Sequence, residues 1–224
     1  MEVKRRNALI SLLICVAGVW GALFGVVCFN SYVLMSLPLS VRMLMMLVMY
    51  WAILAAPIVL MAVSKTKPAD IGFSRENLGI QIAVGVCIGV VMSLVLTLAP
   101  ILFGVGDWVD NGRRYTEWWQ FLYDFVYCIA AVGLVEEVIF RGYIPHKLKQ
   151  LKNSELLAGV VSSLLFGFFH IFGGNIVQVL ITSVLGGIWY LCRAKIKYCS
   201  LLSLIIAHGV YDALISVWSS TLIG

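Results

Sequence analysis

The chain places two carboxylates and a guanidinium inside one strongly apolar stretch, from about residue 121 to residue 144. An ionisable side chain in a bilayer costs roughly 2.5–3.5 kcal/mol even on the gentler insertion scales, so such a cluster suggests a functional site. On a helix Glu137 and Arg141 share a face, which suits an ion pair, whereas Glu136 is rotated about 100° away. We therefore interpret Glu137 as the structural partner of Arg141 and Glu136 as the carboxylate available for chemistry. A charge network that only fixes helix packing is the alternative.

Two later apolar segments each carry a histidine with a second residue four positions away, so that each pair shares a helical face. The first segment runs from Phe166 to His170 and the second from His208 to Asp212. Buried ionisable groups would cost free energy unless they met one another, so we expect one polar cavity to collect them. The residues predicted to line it are Glu136, Glu137, Arg141, His170, His208 and Asp212.

Carboxylates and imidazoles in a dry cavity could activate a water, stabilise an oxyanion, relay protons or bind a metal. The sequence contains no H-E-x-x-H, no G-x-S-x-G and no G-x-x-x-x-G-K-[ST] motif, and no serine or cysteine has an evident base beside it. If the protein is an enzyme, we expect water to be its nucleophile. A divalent metal such as zinc, held by Glu136, His170 and His208, is the alternative. The six cysteines lie apart and predict neither a disulfide framework nor a zinc site.

Membrane helices must position these residues. The 224 residues are 62% hydrophobic and 12% charged, with a mean hydropathy of +1.00, which predicts an all-α polytopic membrane bundle. At about 20 apolar residues per span we predict one membrane domain of about seven helices around an intramembrane polar cavity. Residues 1–112 would hold helices one to three, 117–222 the catalytic core, and 173–175 a tight turn. The spans lie near 8–29, 41–63, 78–104, 117–145, 154–172, 175–193 and 200–222.

Basic residues gather in alternate loops, which are residues 4–6, 65–75, 147–152 and 193–197. The positive-inside rule therefore predicts a cytoplasmic N-terminus, and it accounts for the net charge of +5 without nucleic acid as a partner. We interpret His146 as a surface residue of one such loop. Arg113 and Arg114 lie in an outer loop and are expected to be offset by Asp107 and Asp110. Short loops in so small a chain are typical of a bacterial plasma membrane.

Two G-x-x-x-G spacings, at Gly21 and Gly25 and at Gly85 and Gly89, predict close helix contacts within the monomer. No inverted repeat is evident, which counts against a secondary transporter. By the predicted topology His170 lies nearer the outer face than Glu136 does, so one of their two helices must extend further than its apolar run.

The three motifs, in their order along the chain, resemble the E-E-x-x-x-R, F-x-x-x-H and H-x-x-x-[ND] motifs of the CAAX protease and bacteriocin-processing family of intramembrane endopeptidases. The resemblance covers roughly residues 118–218 and leaves the first three helices unmatched. It implies hydrolysis of a peptide bond in a membrane-associated peptide or protein. It also implies that Glu136 is the general base, that His170 helps to hold the water, and that His208 stabilises the oxyanion. Glu137, Arg141 and Asp212 complete the implied catalytic set, with Asp212 orienting His208.

One position departs from the family. Its prenyl-protein proteases tend to carry asparagine where this chain has Asp212, which weakens the case for a prenylated substrate. Two functions of other classes stay open from the sequence: a non-catalytic membrane protein that binds a peptide, such as a bacteriocin-immunity factor, and a proton-coupled transporter. The sequence indicates neither the substrate nor the oligomeric state.

Overall fold

The computed structural model describes residues 2–172 and 176–223, and within these ranges it contains helices and no strand. The predicted turn at 173–175 lies outside the described residues. The α-helices are α1 (Glu2–Tyr32), α2 (Leu39–Ala52), α3 (Ala55–Val63), α4 (Pro68–Ile71), α5 (Leu78–Ser93), α6 (Ala99–Leu102), α7 (Trp118–Tyr127), α8 (Leu134–Glu137), α9 (Ile144–Leu151), α10 (Glu155–Phe169), α11 (Ile176–Lys195) and α12 (Leu201–Trp218). Four π-helical turns continue these helices at Leu94–Leu98, Cys128–Gly133, Val138–Tyr143 and Ser219–Ile223.

Six helical segments of the described chain are long and apolar enough to cross a membrane. They are Glu2–Ser36, Leu39–Val63, Leu78–Leu102, Glu155–Phe172, Ile176–Lys195 and Leu201–Ile223. The remaining predicted span is helical from residue 118 to residue 151, but it carries Glu136, Glu137 and Arg141 and so is less apolar than the six. The all-α polytopic architecture is confirmed, and the chain is an integral membrane protein.

The span predicted at 41–63 is found as the segment Leu39–Val63, with a short break at residues 53–54 between α2 and α3. One predicted boundary was wrong. The span predicted to end at residue 145 continues through α9 to Leu151. Proline lacks the N–H that an uninterrupted helix needs, so Pro145 would ordinarily end or kink a helix. Here it is tolerated near the start of α9, directly after the π turn Val138–Tyr143.

The chain forms two compact units. The first unit comprises Met1–Phe73 and Val135–Lys197, and the second comprises Ser74–Leu134 and Tyr198–Gly224. In the first unit α1 packs on α3 and α9, while α10 packs on α9 and α11. In the second unit α12 packs along α5 and against α7 and the π turn that follows α7. The predicted division into 1–112 and 117–222 stays a prediction.

Small residues bring α5 and α12 together in the second unit. A Cβ atom added at Gly85 would lie 2.6 Å from the Ser203 carbonyl oxygen, and one at Gly89 would lie 2.6 Å from the Ala207 carbonyl oxygen. This confirms that the second G-x-x-x-G spacing marks a close helix contact. The same prediction was wrong for Gly21 and Gly25, where an added Cβ would meet no described atom within 4 Å.

Candidate active site

A helical hairpin brings Glu136 and His170 to the same level in the first unit. Glu136 lies fifteen residues before the end of α9 at Leu151, and His170 lies fifteen residues after the start of α10 at Glu155. At about 1.5 Å per residue, both therefore lie ~22 Å from the turn that joins the two helices. Glu136 Oε2 and His170 Nε2 are 4.0 Å apart. The extension that the predicted topology required is found in the helix that carries Glu136, which runs to Leu151.

The carboxylate pair sits in a single α-helical turn, α8, which is preceded and followed by π turns. A π turn has wider backbone hydrogen bonding than an α-helix and is frequently found at functional sites. Such turns change which side chains share a face, and no pattern in the sequence predicted them. The residues from Val135 to Ile144 are all buried, so this irregular stretch holds its charged side chains away from solvent.

Glu137 and Arg141 form the ion pair that their spacing predicted. Arg141 Nη1 lies 3.0 Å from Glu137 Oε1, and the two side chains are 1% and 0% exposed. The guanidinium carbon of Arg141 also stacks 3.9 Å from the centre of the Phe166 ring, which is a cation–π contact. The pair therefore links the Glu137 turn to α10, the helix that ends at His170.

The backbone around Arg141 has a further partner. Pro145 has no N–H to donate to the Arg141 carbonyl four residues earlier, which would be the normal α-helical bond. The side chain of Arg193, on α11, donates its Nη1–H to that carbonyl oxygen instead. In this way α11 contributes to the geometry of the charged turn.

Glu136 is 1% exposed and has a partner that the sequence did not reveal. The hydroxyl of Tyr50, on α2, donates a hydrogen bond to Glu136 Oε1. We interpreted Glu136 as lacking a structural partner, and that interpretation needs this correction. A single tyrosine in an otherwise apolar span is only a weak signal, and no family motif covers α2.

His170 is oriented by its own helix. Its Nδ1 lies 3.0 Å from the Phe166 carbonyl oxygen, and because a carbonyl only accepts, Nδ1 carries the hydrogen. In the neutral ring Nε2 is then an acceptor, and it is this atom that lies nearest Glu136 Oε2. The imidazole thus presents a lone pair on the side of the carboxylate.

The other two predicted site residues form a pair in the second unit. His208 Nε2 and Asp212 Oδ2 are 3.4 Å apart on α12, with His208 buried and Asp212 partly exposed. A Cβ atom added at Gly209 would lie 2.6 Å from the backbone nitrogen of Ile129, which is in the π turn Cys128–Gly133. The close approach of α12 to this turn therefore requires glycine at position 209. Gly209, Gly85 and Gly89 thus fix the rotation of the helix that carries His208.

A buried carboxylate that the sequence analysis passed over lies in α7. Asp124 is 1% exposed, forms an ion pair with Arg113 and accepts a hydrogen bond of 2.7 Å from the Tyr115 hydroxyl. Arg114 pairs with Asp110 at 2.8 Å, as expected. The expectation that outer-loop aspartates offset Arg113 was wrong, since Arg113 reaches Asp124 on the helix.

His146 lines a cavity and is half-buried, so it is less exposed than predicted. Among residues 2–172 and 176–223, no group of three or more His, Cys, Asp or Glu side chains is placed to hold a metal ion. No disulfide links any of the six cysteines, all of which lie in those ranges.

Comparison with known proteins finds a family model that part of this chain matches. Residues 118–214 match a family model described as type II CAAX prenyl endopeptidase Rce1-like. No curated protein and no solved structure matches the chain. The matched residues include the charged turn, His170 and the His208–Asp212 pair. This segment, which is less than half of the chain, is therefore similar to the type II CAAX prenyl endopeptidases.

Proposed function

We propose that the protein is an intramembrane endopeptidase in which Glu136 activates a water molecule to hydrolyse a peptide bond. The substrate is a membrane-associated peptide or protein. The observation that carries the proposal is the placement of Glu136 Oε2, buried in the membrane domain, 4.0 Å from the acceptor nitrogen of His170. The family match supports the same reaction class.

The separation of these two atoms suits a shared water. A distance of 4.0 Å is too long for a direct hydrogen bond. A water oxygen can contact both atoms at about 2.8 Å, the usual length for such bonds. The water would donate one hydrogen to Glu136 Oε2 and the other to His170 Nε2, with an oxygen lone pair turned toward the substrate.

The reaction then follows with protons and bonds balanced. Glu136 takes a proton as the water oxygen bonds to the carbonyl carbon, and the tetrahedral oxyanion forms. When the C–N bond breaks, Glu136 returns that proton to the nitrogen, which leaves as an amine. The products are a new carboxyl terminus and a new amino terminus.

Three residues position the base in this scheme. The Tyr50 hydroxyl occupies Oε1 of Glu136, so Oε2 stays directed toward His170. The Glu137–Arg141 pair and its stacking on Phe166 tie the carboxylate's turn to α10. We assign these residues positioning roles, because none of them needs to touch the reacting atoms.

We also propose that His208 donates a hydrogen bond to the oxyanion and that Asp212 orients it. The support is the 3.4 Å contact between His208 Nε2 and Asp212 Oδ2, together with their place in the third motif. A preorganised donor of this kind typically contributes ~10²–10³-fold to kcat. His208→Ala should therefore lower kcat by about that factor.

The test is cleavage by the purified full chain in liposomes. A panel of membrane-associated peptide precursors, with and without a C-terminal prenyl group, would be incubated with the wild-type protein, with Glu136→Gln and with the exposed-site control Glu76→Gln. We expect Glu136→Gln to lose ~10²–10⁴-fold in rate, the usual contribution of a general base, while the control matches wild type.

Three results would contradict the proposal. Cleavage that survives Glu136→Gln in a folded protein would remove the assigned base. Activity that a strong chelator abolishes and zinc restores would favour the metal-assisted alternative. Tight binding of one precursor without cleavage, unchanged in Glu136→Gln, would favour a non-catalytic peptide-binding protein.

We further propose that the N-terminus is cytoplasmic. The support is the basic character of the loops at 65–75, 147–152 and 193–197. Cysteines introduced one at a time in these loops should react with a membrane-impermeant thiol reagent only after cell disruption. A cysteine at Asn111, in the outer loop, should react in intact cells.

A further inference from the structure

The first unit contains a cavity of about 830 Å³ between α9, α10, α11 and α4. One end is lined by polar and charged residues from three loops that the sequence predicts on the cytoplasmic side. Asp70 comes from the first of these loops, Lys149 from the second, and Arg193 and Lys195 from the third. The structure therefore gathers the three basic loops around a single opening.

The charge at this end is net positive. Three cations, Lys149, Arg193 and Lys195, lie there with two carboxylates, Asp70 and Glu155. A fourth cation that lines the cavity, Arg141, is paired with Glu137. Both carboxylates already accept bonds from the protein. Glu155 lies 3.1 Å from Lys149 Nζ and accepts from the Tyr190 hydroxyl at 2.7 Å, while Asp70 accepts from the Lys67 backbone N–H at 2.7 Å. The loop from Arg193 to Cys199 holds three cations and no carboxylate.

Arg193 is held at this end by backbone geometry. Its guanidinium packs against Gly72, which has φ +107°, and a side chain at position 72 would overlap it. The same guanidinium donates to the Arg141 carbonyl oxygen, which is a neutral acceptor. The site is therefore built, with one cation fixed by the fold and two on flexible stems.

The other end of the cavity is an apolar groove between α10 and α11. It is lined by Val160 and Leu164 on α10 and by Val184 and Leu191 on α11, all of them exposed. Because both helices are membrane spans, this groove faces the acyl region while the cations lie at the helix ends. A cationic head region above an apolar groove matches the two chemical parts of a phospholipid.

We infer that this cavity binds an anionic phospholipid, with its phosphate among Lys149, Arg193 and Lys195 and an acyl chain along the groove between Val160 and Val184. Basic pockets between membrane helices on the cytoplasmic side are known to hold anionic head groups. The inference stands apart from the proposed peptidase activity, because it needs only the cavity and its charges.

The experiment is a lipid titration of the purified full chain, read by native mass spectrometry. Phosphatidylglycerol and phosphatidylcholine with identical acyl chains would be the probes, with inorganic phosphate as a competitor. We expect one phosphatidylglycerol to bind in preference to phosphatidylcholine. Lys195→Gln should weaken that binding roughly fivefold, the effect of about one cation at a lipid head group. Lys152→Gln, an exposed lysine of the neighbouring loop that does not line the cavity, is the matched control.

A second pair of variants tests the groove. Val184→Trp would fill it and should abolish the retained lipid, whereas Leu180→Trp on the same helix, outside the cavity, should not. Equal retention of the two phospholipids would overturn the inference, as would equal effects of Lys195→Gln and Lys152→Gln. Full displacement of the lipid by inorganic phosphate would show that the site binds only the anion, and this result would also overturn the inference. Lys195 is exposed and makes no contact that the fold needs, so Lys195→Gln should fold.

Discussion

The buried ion pair between Glu137 and Arg141 makes a sharp thermodynamic prediction. Both side chains are at most 1% exposed, so removing one partner leaves the other charge in a low-dielectric interior. Breaking such a pair typically destabilises a protein by ~3–5 kcal/mol. We expect Glu137→Leu and Arg141→Met, each alone, to lose stability of this order. For a chain of this size that corresponds to roughly 6–20 °C in Tm.

Removing both charges together should be much less harmful. In the double variant Glu137→Leu with Arg141→Met, no unpaired charge remains, and apolar replacement of a buried pair is often neutral. The stacking of Arg141 on Phe166 at 3.9 Å would still be lost, which is worth ~1–2 kcal/mol. The double variant should therefore be more stable than either single one, with a coupling of ~2 kcal/mol or more between the two positions.

The assay is thermal unfolding of the four proteins in one detergent, followed by tryptophan fluorescence and by recovery of monodisperse protein after heating. Precursor cleavage would be measured on the same samples. If Glu137 only positions the turn, the double variant keeps measurable cleavage that depends on Glu136. Additive losses of stability in the double variant would refute the reasoning, because they would show that the two charges do not compensate one another.

Three further variants test separate contacts. Tyr50→Phe should lower kcat by ~10-fold or more, the weight of a hydrogen bond to a charged group, with KM unchanged. It should cause no additional loss in a Glu136→Gln background, and an additional loss there would assign Tyr50 another role. Asp124→Asn should lower the free energy of unfolding by ~1–3 kcal/mol, the cost of an unmatched buried group. The Tm should fall accordingly, with KM unchanged. Gly89→Val should lower the Tm by several degrees because its side chain would meet α12, whereas Gly21→Val has open space and should melt like wild type.

Local patterns in the sequence were enough to predict the helices and the ion pair. Apolar runs of about 20 residues locate spans regardless of how the spans pack. The pairing of Glu137 with Arg141 depends only on a spacing of four residues along one helix, and it survives the π turn that follows α8. The same holds for His208 and Asp212, which lie on one regular helix.

Contacts between distant segments could not be predicted in this way. Tyr50 reaches Glu136 across 86 positions of sequence, and nothing in the periodicity of α2 selects that tyrosine. Asp124 lies in a span that carries a cluster of three charged residues further along. Its partner Arg113 comes from a loop whose own carboxylates are closer to Arg113 in sequence. In each case tertiary packing determines the partner, and the spacing of residue types along the chain does not predict how distant segments pack.

The position of His170 relative to Glu136 shows how a contact between distant segments affects the site. The contact is the hydrogen bond from Arg193 to the Arg141 carbonyl. Pro145 predicts the end of a helix, yet the helix continues because the π turn precedes the proline and Arg193 donates to the Arg141 carbonyl that proline cannot serve. The continuation moves the hairpin turn to residues 152–154, and only from there does α10 bring His170 level with Glu136. The 4.0 Å separation of base and imidazole therefore depends in part on an arginine of α11 that bonds to the backbone five residues beyond Glu136.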